Sequence, residues 1–128
     1  MFFNRFRRYL KRILFMKQLN FAMARASATS NLRQIYETNP SSWEFSGFSQ
    51  NGEDGIIDFL CKKVINPNRY FVEIGSADGT ENNTSFLALA KKYSGLMVDG
   101  DKEKILLARD LLSNQAHNVE FLNLFMDY

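Results

Sequence analysis

Two carboxylates and a glycine turn carry the chemistry that can be read from this sequence. In Phe71-Val-Glu-Ile-Gly-Ser-Ala-Asp-Gly79 an apolar run ends in Glu73 and turns through Gly75, Ser76 and Gly79. Gly95-Leu-Met-Val-Asp99, about twenty residues further on, is a second apolar run that also ends in an acid. Glycines let a backbone turn tightly and approach a ligand with no Cβ in the way. Carboxylates at the carboxyl ends of two adjacent parallel strands are placed to grip a nucleotide-type cofactor.

The charge of such a cofactor follows from Glu73. A dinucleotide would bring its pyrophosphate to the end of the first strand, where a carboxylate repels it. The spacing Gly75-x-x-x-Gly79 also departs from the G-x-G-x-x-G fingerprint. S-adenosylmethionine (SAM) carries an ammonium and a sulfonium and no phosphate, so an acid at this place suits it. Asp99 is positioned to accept the two ribose hydroxyls as a pair of hydrogen bonds. Asp101 competes for that role but reads as the cap of the next helix.

These residues need a scaffold, and the hydrophobic pattern predicts one. Tyr70–Ile74 reads as a buried strand, Thr84–Tyr93 as a helix presenting Phe86, Leu87, Leu89 and Ala90, and Leu96–Asp99 as a second strand. A helix opening at Asp101 carries Ile105, Leu106, Ala108, Leu111 and Leu112, and Val119–Phe125 reads as a third strand. Strand–helix–strand–helix–strand with short links predicts an α/β fold with a parallel sheet. An earlier helix has Ile56, Ile57, Leu60, Cys61 and Val64 at helical spacing and closes before Pro67; Asn51 with Asp54 is the expected cap. Residues 38–48 have turn composition and read as a linker, pinned to the body by Trp43, Phe45 and Phe48.

Four motifs in order, Ser49-Gln-Asn-Gly-Glu-Asp54, Phe71-Val-Glu-Ile-Gly75, Asn83-Thr84 and Gly95-Leu-Met-Val-Asp99, resemble the FkbM-like SAM-dependent methyltransferases. The resemblance covers about residues 48–125. It implies a Rossmann-like methyltransferase fold and transfer to a glycan or other small-molecule hydroxyl acceptor. It places Glu73, Gly75, Ser76, Gly79 and Asp99 around SAM, with Ser49, Gln50 and Asp54 closing over it and Asn83 and Thr84 holding the glycine loop. For Ser49 to Asp54 ordinary helix capping is the competing reading.

The family's acidic fourth-strand segment has no counterpart before Tyr128, so the resemblance implies the N-terminal, cofactor-binding half of a longer enzyme. It implies an incomplete three-stranded parallel sheet in the order 3-2-1, with the first strand an open edge that a C-terminal half or a second copy would cover. No catalytic base is assigned. The alternative is a catalytically inactive remnant working as a membrane-surface or protein-interaction module.

Bulk properties set further bounds. The net charge of +2 conceals a segregation: residues 1–36 hold eight basic side chains and no acid, and residues 37–128 hold eight basic and fourteen acidic ones. Residues 2–23 predict a basic amphipathic helix, with Phe2, Phe3, Phe6, Tyr9, Leu10, Ile13, Leu14 and Met16 apolar and Asn4, Arg5, Arg7, Arg8, Lys11 and Arg12 opposite. Three readings stand: a helix in an anionic membrane surface, a targeting presequence, or a helix packed on the domain. Residues 1–37 are accordingly read as an arm and residues 49–128 as the cofactor-binding domain.

The arm invites nucleic acid, but the acidic body and the lack of a reading motif disfavour it. One cysteine, Cys61, excludes an internal disulfide and is expected in the core. A single histidine, His117, is expected at the surface and leaves a histidine-based metal site without ligands. No run reaches the length of a membrane span or a secretory h-region, so a cytoplasmic, peripherally membrane-associated protein is expected.

Overall fold

The structure, a computed structural model, describes residues 2–116 and 118–125, with side chains left aside at residues 2–4 and 8. Helix α1 (Phe2–Leu32) leads through a 3-10 turn at Pro40–Trp43 to α2 (Glu53–Lys63). There follow β1 (Tyr70–Ile74), α3 (Ser85–Leu89), β2 (Ser94–Asp99), α4 (Lys102–Leu112) and β3 (Val119–Asn123).

The three strands form one parallel sheet in the order β1-β2-β3, which leaves β1 at an edge. The registers pair Glu73 with Met97 and Met97 with Phe121. One face buries Phe71, Met97, Val119 and Phe121 against α3 and against Ile105, Ala108, Leu111 and Leu112 of α4. On the other face Tyr70, Val72, Ile74 and Leu122 are exposed. The fold is thus α/β with an open three-stranded parallel sheet and an N-terminal helix.

Helix α1 departs from the expected arm in length and in its docking face. It runs on to Leu32, and Phe15, Leu19, Ala22 and Ala26 on one stripe join the same core as the sheet. Its apolar residues Phe6, Tyr9, Leu10, Ile13 and Leu14 remain exposed.

The linker is pinned as expected. Phe45 and Phe48 are buried, Phe45 meets Phe86 edge-on at 4.9 Å, and Trp43 stacks on Phe59 at 4.1 Å.

Helix α2 turns a different side inward. It buries Gly55, Asp58 and Phe59, whereas Leu60 and Val64 are exposed and Cys61 is half-buried. The reason is Asp58, whose side chain is 6 % exposed and accepts ion pairs from Arg33 at 2.9 Å, Lys62 at 2.8 Å and Lys91 at 2.7 Å. A carboxylate compensated by three cations can take a core position that an apolar pattern does not foresee. Burial pushes the Asp58 carboxyl up, but Lys62 and Lys91 outweigh it and hold the group below its ordinary value.

Strand β1 has the expected limits but, as an edge strand, buries only Phe71 and is not the buried strand expected; Asp101 caps α4 by accepting from the N–H groups of Glu103 and Lys104. Helix α3 is shorter than the expected 84–93, and Lys92 just beyond it takes a left-handed φ of +57°. Strand β2 begins two residues early and β3 ends at Asn123. His117 lies outside the described residues.

Candidate functional site

The site is assembled at the carboxyl ends of β1 and β2. By register and pleat, Glu73 and Asp99 extend from the same face of the sheet. Past Ile74 the chain turns at Gly75, whose φ is +79°, and the N–H groups of Gly75 and Ser76 both bond to the carbonyl of Val98. The turn is therefore stitched to the adjacent strand before any ligand arrives.

Two clefts meet at Gly75. The first, about 270 Å³, is lined by Glu73 and Gly75 together with Ser49, Gln50, Asn51 and Glu53 from the start of α2 and Glu81, Asn82 and Asn83 ahead of α3. Three carboxylates make it a cation-seeking cleft. The second, about 470 Å³, is lined by Ile74, Gly75, Val98, Asp99, Gly100, Asp101, Leu124 and Phe125. Its walls are mostly apolar, with two acids at the rim. Glu73 and Asp99 thus line separate but adjoining clefts.

Gly75 and Gly79 differ in kind. A Cβ built on Gly75 meets nothing within 4 Å, so this glycine keeps space open beside both clefts. A Cβ on Gly79 falls 2.5 Å from Leu112 Cδ1, and Gly79 lines neither cleft. Its φ of +79° and its contact with α4 make it a packing residue.

The carboxylate of Asp99 is already engaged with backbone. Its Oδ2 accepts from Ala77 N–H at 2.7 Å and its Oδ1 from Asp101 N–H at 2.7 Å. Each oxygen has a second lone pair, so the group braces the glycine turn while keeping acceptor capacity toward the cleft. Ser76 is fully buried, and its Oγ has no partner.

Asn82 holds the loop, a role expected of Asn83 and Thr84. Its Nδ2 donates to the Ser76 carbonyl at 3.2 Å, and its Oδ1 accepts from the N–H groups of Thr84 and Ser85 at 3.1 and 2.8 Å. An asparagine three residues before a helix is a backbone-capping signal, but three consecutive capping-type residues hid which one acts. Asn83 faces the first cleft and is exposed; Thr84 is buried outside it, with Oγ1 unpartnered.

The segment Ser49 to Asp54 divides into two roles. Ser49 lines the first cleft while its Oγ accepts from Asp54 N–H at 3.0 Å. Gln50 donates to the carboxylate of Glu81, which closes that cleft from the α2 side. Asp54 turns away from the clefts. Its buried Oδ2 accepts from the N–H groups of Gly47, Phe48 and Ser49 at 2.7, 2.7 and 3.1 Å, so it anchors the linker. The expected Asn51–Asp54 cap is replaced by Gly52 at φ +87° with no side-chain cap bond. Glu53 accepts from Asn51 N–H at 2.7 Å, and backbone hydrogen bonds hold its carboxyl below the ordinary value.

Among the described residues no group of three or more His, Cys, Asp or Glu is arranged to hold a metal ion, and no helix is long and apolar enough to cross a membrane. Comparison with protein-family models, with curated proteins and with solved structures yields no match to this chain.

Proposed function

We propose that this chain binds SAM across Gly75 and serves as the cofactor-binding part of an FkbM-like methyltransferase acting on a hydroxyl of a glycan or another small molecule. The observation that carries the reading is the empty space beside Gly75, set between a cleft rich in carboxylates and an apolar cleft rimmed by Asp99 and Asp101.

The residues fit the group. Glu73 in the first cleft suits the amino-acid end, where a phosphate would be repelled. Asp99 suits the ribose, and Leu124 and Phe125 offer apolar surface for a base. Ser76, its Oγ unpartnered, is fully buried in the turn and lines neither cleft. When bound, SAM supplies an electrophilic methyl group for an acceptor hydroxyl. The chain's own part is positioning: the Val98 carbonyl and Asp99 hold the turn, and Gln50 with Glu81 closes one side.

A thermal-shift titration tests the reading. A ligand at about a hundredfold excess over its Kd stabilises by about 2.7 kcal/mol, which for a chain of this length is a rise in Tm of roughly 10 °C. SAM and S-adenosylhomocysteine are expected to give such a rise and NAD none. A rise with NAD alone, or with none of the three, would remove the proposal.

A further inference from the structure

Helix α1 presents two apolar stripes, and the domain uses only one of them. Phe15, Leu19, Ala22 and Ala26 are 2–7 % exposed and belong to the core. Phe6, Tyr9, Leu10, Ile13 and Leu14 are 43–62 % exposed. At about 100° per residue the second stripe is centred about 180° round the helix from the first. The side of α1 turned away from the protein is therefore its more aromatic and aliphatic side.

Cations flank this outward stripe. Arg7 and Lys11 lie along one margin and Arg5 and Arg12 along the other, all exposed, the last two across a cleft from Asp110 of α4. No acid occurs before Glu37. Lys17 ends the continuous stripe, on a side chain long enough to lift its ammonium out of an apolar layer.

We infer that the outer face of α1, residues 5–14, is a docking surface for an anionic lipid bilayer, with the helix lying in the headgroup plane between the lipid and the domain. Charge selects this occupant. A second copy laid stripe to stripe would bring two acid-free basic segments together with no compensating carboxylate. Nucleic acid would satisfy the cations but leaves Phe6, Leu10 and Ile13 without a role. A lipid surface takes both features, the apolar side chains among the acyl chains and the flanking Lys and Arg among anionic headgroups. This inference stands on α1 alone and is independent of the cofactor reading.

Vesicle co-sedimentation of the whole chain tests it, using phosphatidylcholine vesicles with and without about one-third phosphatidylserine. Binding to the anionic vesicles is expected, falling roughly fivefold for each cation removed in Arg7→Gln and Lys11→Gln. The exposed pair Leu10→Ser and Ile13→Ser is expected to abolish it, with an unchanged circular dichroism spectrum. Ile65→Ser, equally apolar and 88 % exposed but beyond α2 and off α1, is expected to bind like the parent. Equal binding to neutral vesicles, or loss of binding in Ile65→Ser to the same extent, would overturn the inference. So would a dimer in sedimentation velocity that Ile13→Ser dissociates, or tighter binding to duplex DNA than to the anionic vesicles.

Discussion

The Oδ2 of Asp99 accepts the backbone N–H of Ala77 at 2.7 Å, so the tip of β2 holds the turn that leaves β1. Ala77 has a φ of +50°, a conformation that non-glycine residues adopt at some cost, and this bond helps to fix it there. Removing the carboxylate frees two backbone donors, those of Ala77 and Asp101. Asp99→Ala is expected to cost about 1–3 kcal/mol in urea unfolding. On the proposed function it is also expected to weaken SAM binding at least tenfold, since the acceptor proposed for the ribose is lost with the brace.

The two glycines of the turn separate ligand space from packing. Gly75→Ala adds a Cβ that touches no protein atom, so its cost is the left-handed backbone alone, about 1 kcal/mol. Its larger effect is expected on SAM affinity. Gly79→Ala pays the same backbone cost and also drives a Cβ into Leu112, so unfolding measurements should show it the less stable of the two variants. A Gly75→Ala protein that binds SAM as the parent does would remove Gly75 from the cofactor site.

Asp58 is the electrostatic joint of the molecule. Arg33 donates to it from beyond α1, also contacts the carbonyls of Trp43 and Gly55, and sits 4.6 Å over the Phe45 ring. Arg33→Ala leaves Asp58 paired with Lys62 and Lys91 but frees the carbonyls of Trp43 and Gly55, so it is expected to destabilise by about 1–3 kcal/mol. The pH dependence has a definite sign. The Asp58 carboxyl is held below its ordinary value, so its contribution is present above the unfolded pKa and is lost as pH falls through the folded one. Stability should therefore decline below about pH 4, and Asp58→Asn should flatten that acid limb. The check is urea unfolding repeated across acidic pH.

Asp54 and Glu73 are both carboxylates near the first cleft, and substitution should tell them apart. Asp54→Ala removes a buried acceptor of three backbone N–H groups and is expected to cost at least about 2 kcal/mol. Glu73→Gln is nearly isosteric at a half-buried strand end and is expected to change stability by no more than about 0.5 kcal/mol. Only the Glu73 variant should lose affinity for SAM while its Tm without ligand is unchanged.

The fold was legible where periodicity and punctuation agreed. The limits of strand β1 and the cap at Asp101 follow from an apolar run and an acid, whereas the edge position of β1 came only with the family resemblance. The docking face of α1 was not legible, because two stripes share one helix. The stripe that packs is carried partly by Ala22 and Ala26, whose hydrophobic signal is weak beside that of Phe6 and Ile13. Asp58 was missed because its burial depends on Arg33 and Lys91, neither of which is close to it in sequence. At the site, the types of Glu73, Gly75 and Asp99 pointed to the strand tips, but only the geometry separated Asp54 and Gly79 from the cleft and brought Asn82 to the loop.

Calorimetric titration of SAM into the parent chain and into Glu73→Gln tests the central claim most directly. A charged, phosphate-free donor held at the strand tips predicts saturable one-to-one binding to the parent, roughly tenfold weaker in the variant, and no heat with NAD. Absence of saturable binding to the parent, or equal affinity in the two proteins, would contradict it.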